Sequence, residues 1–134
     1  MAGQTFYNYG YTSPAWRGDG QQELTLIAGG ARVDPSEFSA DSSGKKYIPS
    51  GTLVGRTYAE RDANTGFGLA DVVTPDDEIY LLANDVLDAD LEADCTLYRH
   101  GSLVKENFLP DWGTLTTGEK DKVRELYTCI TGAD

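Results

Sequence analysis

The strongest structural signals lie in residues 78–110, EIYLLANDVLDADLEADCTLYRHGSLVKENFLP, and in residues 116–130, TTGEKDKVRELYTCI. Residues 79–83 are the most apolar run in the chain and predict a central strand that is buried on both faces. Gly101 marks a corner after a second strand signal. Together the two stretches predict strands, a hairpin-like turn and one short closing helix, with no residue that looks built to carry out a reaction.

A period-2 pattern spans residues 91–98. Successive side chains of a strand point to opposite faces, so the pattern predicts a strand with one face in the core and one in water. The apolar face consists of Leu91, Ala93, Cys95 and Leu97, and the wet face of Glu92, Asp94, Thr96 and Tyr98. Cys95 is expected to be a buried thiol. Because Cys129 lies far from it and neither belongs to a CxxC motif, the cysteines indicate no metal or redox site.

The closing helix has a recognisable start. Thr116 and Glu119 have the spacing of a capping box, in which each side chain accepts a hydrogen bond from the other residue's backbone amide. An apolar stripe at helical spacing follows, and Gly132 is expected to end the helix. The stripe consists of Val123, Leu126, Tyr127 and Ile130.

Weaker signals fill the first half of the chain. ELTLIA at residues 23–28 predicts a first strand, and residues 32–46 read as a polar loop. Two short strands flank the turn Pro49-Ser50-Gly51, and residues 67–70 predict a further strand. We therefore expect a single β-rich domain over residues 23–134.

Residues 1–22 differ in composition from the rest of the chain. They are rich in Gly, Tyr, Asn, Ser and Gln and show no apolar period, which predicts an extended arm. Such a segment cannot bury its aromatic rings by itself, so we expect them to contact a partner, because rigid rings give a large contact area at low entropic cost. The alternative is an arm folded back on its own domain. The rings belong to Phe6, Tyr7, Tyr9, Tyr11 and Trp16.

The net charge of −11 argues against two classes of partner. Before Phe67 the chain has 7 acidic and 6 basic residues, and from Phe67 onward it has 15 and 5. Phosphate binding requires clustered Lys and Arg, and only Lys45 and Lys46 are adjacent. We therefore expect no nucleic-acid partner and no anionic membrane surface. Since the sequence shows neither a secretory signal nor an apolar run long enough to span a bilayer, we expect the protein to be made and used in the cytosol, or in an assembly that leaves it.

Candidate reactive and metal-binding groups are weakly supported. Acidic residues at 88, 90 and 92 imitate the first ligands of a calcium loop, but Ala93 stands where the loop needs glycine, and no Glu falls at the twelfth position. His100 is the single histidine, and no GxSxG accompanies it. We expect no catalytic residues, no metal and no cofactor. A small hydrolase acting through His100 remains a further alternative.

Two stretches resemble the head decoration proteins of bacteriophage lambda and its relatives. Thr5-Phe6-Tyr7-Asn8-Tyr9 is similar to the family's Thr-Phe-x-His-Tyr opening, with Asn8 in place of the histidine. Residues 82–86, 96–101 and 102–110 are similar to the family's ending, in which a strand turns at glycine before a short helix. The resemblance hardly covers residues 23–77, and residues 34–46 read as an insertion relative to the family.

The resemblance implies a mainly β, β-tulip-like decoration fold with one short C-terminal helix, preceded by an extended arm. It also implies a homotrimer at threefold positions on the outer surface of the expanded head, where it binds the major capsid protein and stabilises the head against internal DNA pressure. The expected capsid-binding residues are Thr5, Phe6, Tyr7, Asn8, Tyr9, Tyr11 and Trp16. We thus expect a structural cement protein of the virion and not an enzyme. The alternative is an acidic carbohydrate- or calcium-binding β module of a virion.

Overall fold

The computed structural model describes residues 15–16 and 31–132. Within these ranges the chain is a small mixed α+β protein with eight short strands and one main helix near its C-terminal end. The strands are β1 (Ala31–Arg32), β2 (Leu53–Arg56), β3 (Gly68–Leu69), β4 (Glu78–Leu82), β5 (Asp94–Cys95), β6 (Leu97–Tyr98), β7 (Leu103–Lys105) and β8 (Thr128–Ile130). The α-helices are α1 (Tyr58–Asp62) and α2 (Thr117–Leu126). The strand predicted at residues 23–28 lies outside the described residues.

The largest sheet has the antiparallel order β3-β2-β4-β6. Its centre is the pairing of β2 with β4, in which Leu53 lies opposite Leu81 and Val54 opposite Tyr80. Ile79, Leu81 and Leu82 of β4 are all buried, which confirms the predicted central strand. The strand predicted at residues 67–70 is also confirmed, as the shorter edge strand β3.

Gly101 is a corner, as predicted, with a φ of 85° that favours glycine. The strands on either side of it do not form a hairpin. β6 pairs with β4, whereas β7 pairs in parallel with β8, so the corner passes the chain from one sheet to another. The hairpin-like turn was therefore the wrong expectation, because each strand finds its partner far away in the sequence.

The period-2 pattern at residues 91–98 is only half correct. Leu91 is 82% exposed, because residues 88–92 form a turn in which the Leu91 amide donates to the Asp88 carbonyl. The strand begins at Asp94, and Cys95 and Leu97 are buried as predicted. Tyr98, assigned to the wet face, is fully buried. The chain moves from the small β1-β5 sheet to the large sheet between β5 and β6, which changes the side chains that face the core.

The capping box of α2 is confirmed: the Glu119 amide donates to Thr116 Oγ1 over 3.1 Å, and the Thr116 amide donates to Glu119 Oε1 over 2.9 Å. The predicted end of the helix is wrong. Tyr127 has an extended backbone, and Ile130 lies on β8 and is 42% exposed. The Tyr127 hydroxyl donates to the Tyr98 carbonyl and accepts from the Leu81 amide, which are hydrogen bonds of 2.6 and 3.0 Å to the main sheet.

Candidate binding surface

Six of the seven residues predicted to bind a capsid lie outside the described residues. They are Thr5, Phe6, Tyr7, Asn8, Tyr9 and Tyr11. Their contacts with a partner remain predictions.

Trp16, the seventh, lies inside the core of its own chain. Its side chain is 2% exposed, and its ring meets the Tyr98 ring edge-on with centroids 4.9 Å apart. The indole Nε1 donates to Ser50 Oγ over 3.3 Å, and the Trp16 carbonyl accepts from the Lys105 amide over 2.6 Å. A side chain buried in this way is not free to contact a partner. At this residue the chain is folded back on its own domain, and Trp16 packs with that domain although it precedes the predicted boundary at residue 23.

Trp16 is the buried end of a row of aromatic rings that runs from the core to the exposed His100. The rings of Tyr98 and Tyr127 are stacked, with centroids 5.6 Å apart. The His100 ring meets the Tyr127 ring edge-on, also with centroids 5.6 Å apart. His100 also stacks on Tyr80 at 4.2 Å. Its Nε2 is 2.6 Å from the Ile79 carbonyl, which can only accept, so Nε2 carries the proton. Through its contacts with Tyr80 and Ile79, His100 holds the Gly101 corner against β4.

The acidic residues at and before the calcium-loop-like stretch bind the 46–50 segment and backbone of their own turn instead. Asp85 Oδ1 accepts from the Ser50 amide over 2.7 Å, and Asp88 Oδ1 accepts from the amides of Lys46 and Asp90. Lys46 Nζ lies 3.3 Å from Asp90 Oδ1. Among residues 15–16 and 31–132, no three His, Cys, Asp or Glu side chains are grouped so that they could hold a metal ion. In the described structure these carboxylates join the 85–90 segment to the 46–50 segment, and Asp88 also closes its own turn.

A second acidic cluster lies against β2. Burial raises the pKa of Asp76, and the nearby carboxylates of Glu60, Asp71 and Asp77 raise it further, although a hydrogen bond from the Asp71 amide to Asp76 Oδ2 opposes them. A Cβ atom on Gly55 would lie 2.6 Å from Asp76 Oδ2, so glycine is needed there for this close approach. Four carboxylates, those of Glu60, Asp71, Asp76 and Asp77, are therefore near one another beside β2.

An apolar groove of about 190 Å³ opens between the main sheet, the 109–115 segment and the first turns of α2. Its mouth includes Leu69, which is 55% exposed on the edge strand β3. The polar side chains along the groove are those of Thr52, Asp111 and Glu119, and none of the lining residues is basic. The apolar lining comes from Leu53, Leu69, Leu81, Leu109, Pro110, Leu115 and Val123.

Gly51 forms one end of this groove and has a φ of 86°. A Cβ atom at this position would lie 2.7 Å from Pro110 Cδ and 3.0 Å from both Leu109 Cδ2 and Trp16 Nε1. Only glycine fits both the backbone and the space. The contact also places the indole of Trp16 beside Gly51, one of the residues that line the groove.

Local sequence patterns did not reveal this groove. Its leucines come from strands, loops and a helix that are separated by long stretches of chain. Each of them reads in the sequence as an ordinary core residue, and the exposure of Leu69 depends on the absence of a further strand beside β3 among the described residues.

Comparisons with protein-family models, with curated proteins and with solved structures found no match. In the part of the chain that is described, no helix is both long and apolar enough to cross a membrane; α2, the longest in that part, has 10 residues.

Proposed function

We propose that this chain is a structural capsid cement protein, which binds as a homotrimer to the major capsid protein on the outside of an expanded phage head. The proposal includes a β-tulip-like decoration fold as the finer description of its α+β domain. Its support from the sequence is the similarity of residues 5–9 and 96–101 to the lambda decoration family. In this function the chain stabilises the head by bridging neighbouring capsid subunits.

The observation that carries the proposal is the anchoring of Trp16. This residue follows the aromatic segment after only a few residues, and its ring is wedged against Tyr98 while its carbonyl is bonded to the Lys105 amide. A partner that holds the preceding segment would therefore pull on the core of the domain. Anchoring of this kind suits a protein whose task is to bear a load between subunits.

The distribution of charge also supports docking through the N-terminal arm. Residues 1–14 contain no Asp, Glu, Lys, Arg or His, so the charge of −11 belongs to the rest of the chain. An uncharged arm can add to an exposed strand edge through main-chain hydrogen bonds, while the acidic domains keep separate trimers apart in solution. Three arms on one trimer would raise avidity by roughly 10²-fold or more. A site present only in the expanded lattice would bias the lattice toward that state.

The test is co-sedimentation with compact and with expanded heads of the phage that encodes the chain. We expect saturable binding of the full-length protein to expanded heads alone, and loss of binding when residues 2–14 are deleted. Tyr9→Ala should weaken binding, whereas Tyr47→Ala, which removes a tyrosine that is 47% exposed on the domain, should not. Absence of binding to expanded heads, or equal binding without residues 2–14, would overturn the proposal.

A further inference from the structure

We propose that the apolar groove beside α2 is a second docking site, and that its occupant is an apolar segment flanked by Lys or Arg. The inference rests on the proposed function, under which this segment belongs to the major capsid protein. It assigns a partner contact to the folded domain, in addition to the predicted contacts of the arm.

The size of the groove favours a protein segment. Pockets for small molecules usually enclose roughly 300–1,000 Å³, whereas this groove holds about 190 Å³. That space accepts one or two apolar side chains presented by a larger partner. Such a side chain would become an anchor in a well-packed pocket, the type of contact that dominates binding energy at interfaces.

The apolar surface continues beyond the groove itself. Leu69 is 55% exposed at the mouth, and Val73 is 91% exposed on the loop that follows β3. The neighbouring Val72 borders the start of α2, since a Cβ atom on Gly118 would lie 3.4 Å from Val72 Cγ2. An apolar cleft with exposed apolar residues beside it is typical of an interaction site.

The acidic residues near the groove favour an occupant that has Lys or Arg on either side of its apolar segment. Asp111 and Glu119 line it, and no Lys, Arg or His does. The loop that borders α2 adds Asp71 and Asp76, and Asp76 packs against Gly55, two residues along β2 from Leu53 of the groove. Complementary potentials favour a basic partner. A second copy of this chain, with its own charge of −11, is the occupant that electrostatics disfavour.

The groove also adjoins the predicted arm. Trp16, which follows the aromatic segment in the sequence, lies beside Gly51, one of the residues that line the groove. A partner held by the arm is thereby brought to the groove at a high effective concentration. The two contacts reinforce each other without either being strong alone.

Two matched leucine variants test the inference on expanded heads. Leu69→Arg places a cation at the mouth of the groove, and Leu91→Arg makes the same change on the 88–92 turn, where Leu91 is 82% exposed. We expect Leu69→Arg to bind roughly tenfold more weakly, the loss of one interface anchor, and Leu91→Arg to bind as the parent does. Both side chains are exposed, and a thermal melt of each variant verifies its fold.

A third variant tests the charge. Asp111 has a φ of 56°, a conformation that Asn also tolerates, so Asp111→Asn removes the carboxylate without straining the backbone. We expect weaker binding that is less sensitive to added salt, because the screened attraction has been reduced. Unchanged affinity and unchanged salt dependence would overturn the assignment of basic flanks.

The outcomes separate the inference from the proposed function. If the parent protein binds expanded heads and Leu69→Arg binds equally well, the groove is not a docking site and the cement function stands. If the parent does not bind heads, the cement function fails, and short synthetic peptides probe the groove directly by methyl NMR. Shifts confined to Leu69, Leu115 and Val123 with a lysine-flanked leucine peptide, and absent with a glutamate-flanked one, would uphold the groove. Equal or absent shifts would overturn it.

Discussion

Trp16→Ala should destabilise the folded domain severely, although Trp16 precedes the predicted domain boundary. The side chain is 2% exposed, makes an edge-on contact with Tyr98 and donates a hydrogen bond to Ser50. Truncating a buried Trp to Ala costs about 3–5 kcal/mol in other proteins. Since a domain is stable by only about 5–15 kcal/mol in total, this one change should remove a large share of the free energy of unfolding.

Urea unfolding followed by far-ultraviolet circular dichroism measures this loss without relying on tryptophan fluorescence. With a slope of about 2 kcal/mol per molar urea, a loss of about 4 kcal/mol moves the midpoint down by about 2 M. Trp16→Phe keeps an aromatic ring against Tyr98 but loses the indole N–H, so its cost should be about 1–2 kcal/mol. This milder variant gives a measurable transition if the alanine variant does not fold.

Two control variants separate the loss of a core side chain from other effects. Trp112 is only partly buried, with Lys120 and Arg124 near its ring, so Trp112→Ala should cost less than half as much as Trp16→Ala. Deleting residues 2–14 while keeping Trp16 should change stability by about 0.5 kcal/mol or less. A cost below about 1 kcal/mol for Trp16→Ala would show that the indole is not part of the core.

Two further predictions concern the backbone and the pH dependence of stability. Gly51→Ala should destabilise the domain more than Gly101→Ala. Both positions have a positive φ, whose strain costs about 1–2 kcal/mol for alanine, but only Gly51 has atoms within 4 Å of the added Cβ. Urea midpoints that fall equally in the two variants would contradict this prediction. Burial raises the pKa of the Cys95 thiol from 9.0 to about 11, with a smaller contribution from Asp94. The unfolded chain therefore loses this proton first, so stability should fall as pH rises from 9 toward 11. In Cys95→Ala that part of the slope should be missing, and an identical slope would exclude the thiol as its source.

Local signals predicted the elements whose stabilising contacts are local. Thr116 and Glu119 are three residues apart, and their hydrogen bonds form as the helix starts. The same spacing at Thr57 and Glu60 caps α1, a helix that was not predicted although its capping box is present in the sequence. At the other end of α2, the β-branched residues within 128–131 favour a strand, and β8 lies there. The predicted helix extended over them because Ile130 continues the helical spacing of the apolar stripe.

The acidic charge, the central strand, the Gly101 corner and the capping box could all be predicted from the sequence, because composition, apolar runs and short spacings are properties of neighbouring residues. The end of α2 depends instead on tertiary contacts, because the Tyr127 hydroxyl bonds with the backbone of Leu81 and Tyr98 and the backbone of Tyr127 is extended. The tertiary structure also decided that Trp16 is a core residue and that leucines from separate segments line a groove. These features depend on contacts between residues far apart in the chain, whose energies are absent from any local pattern.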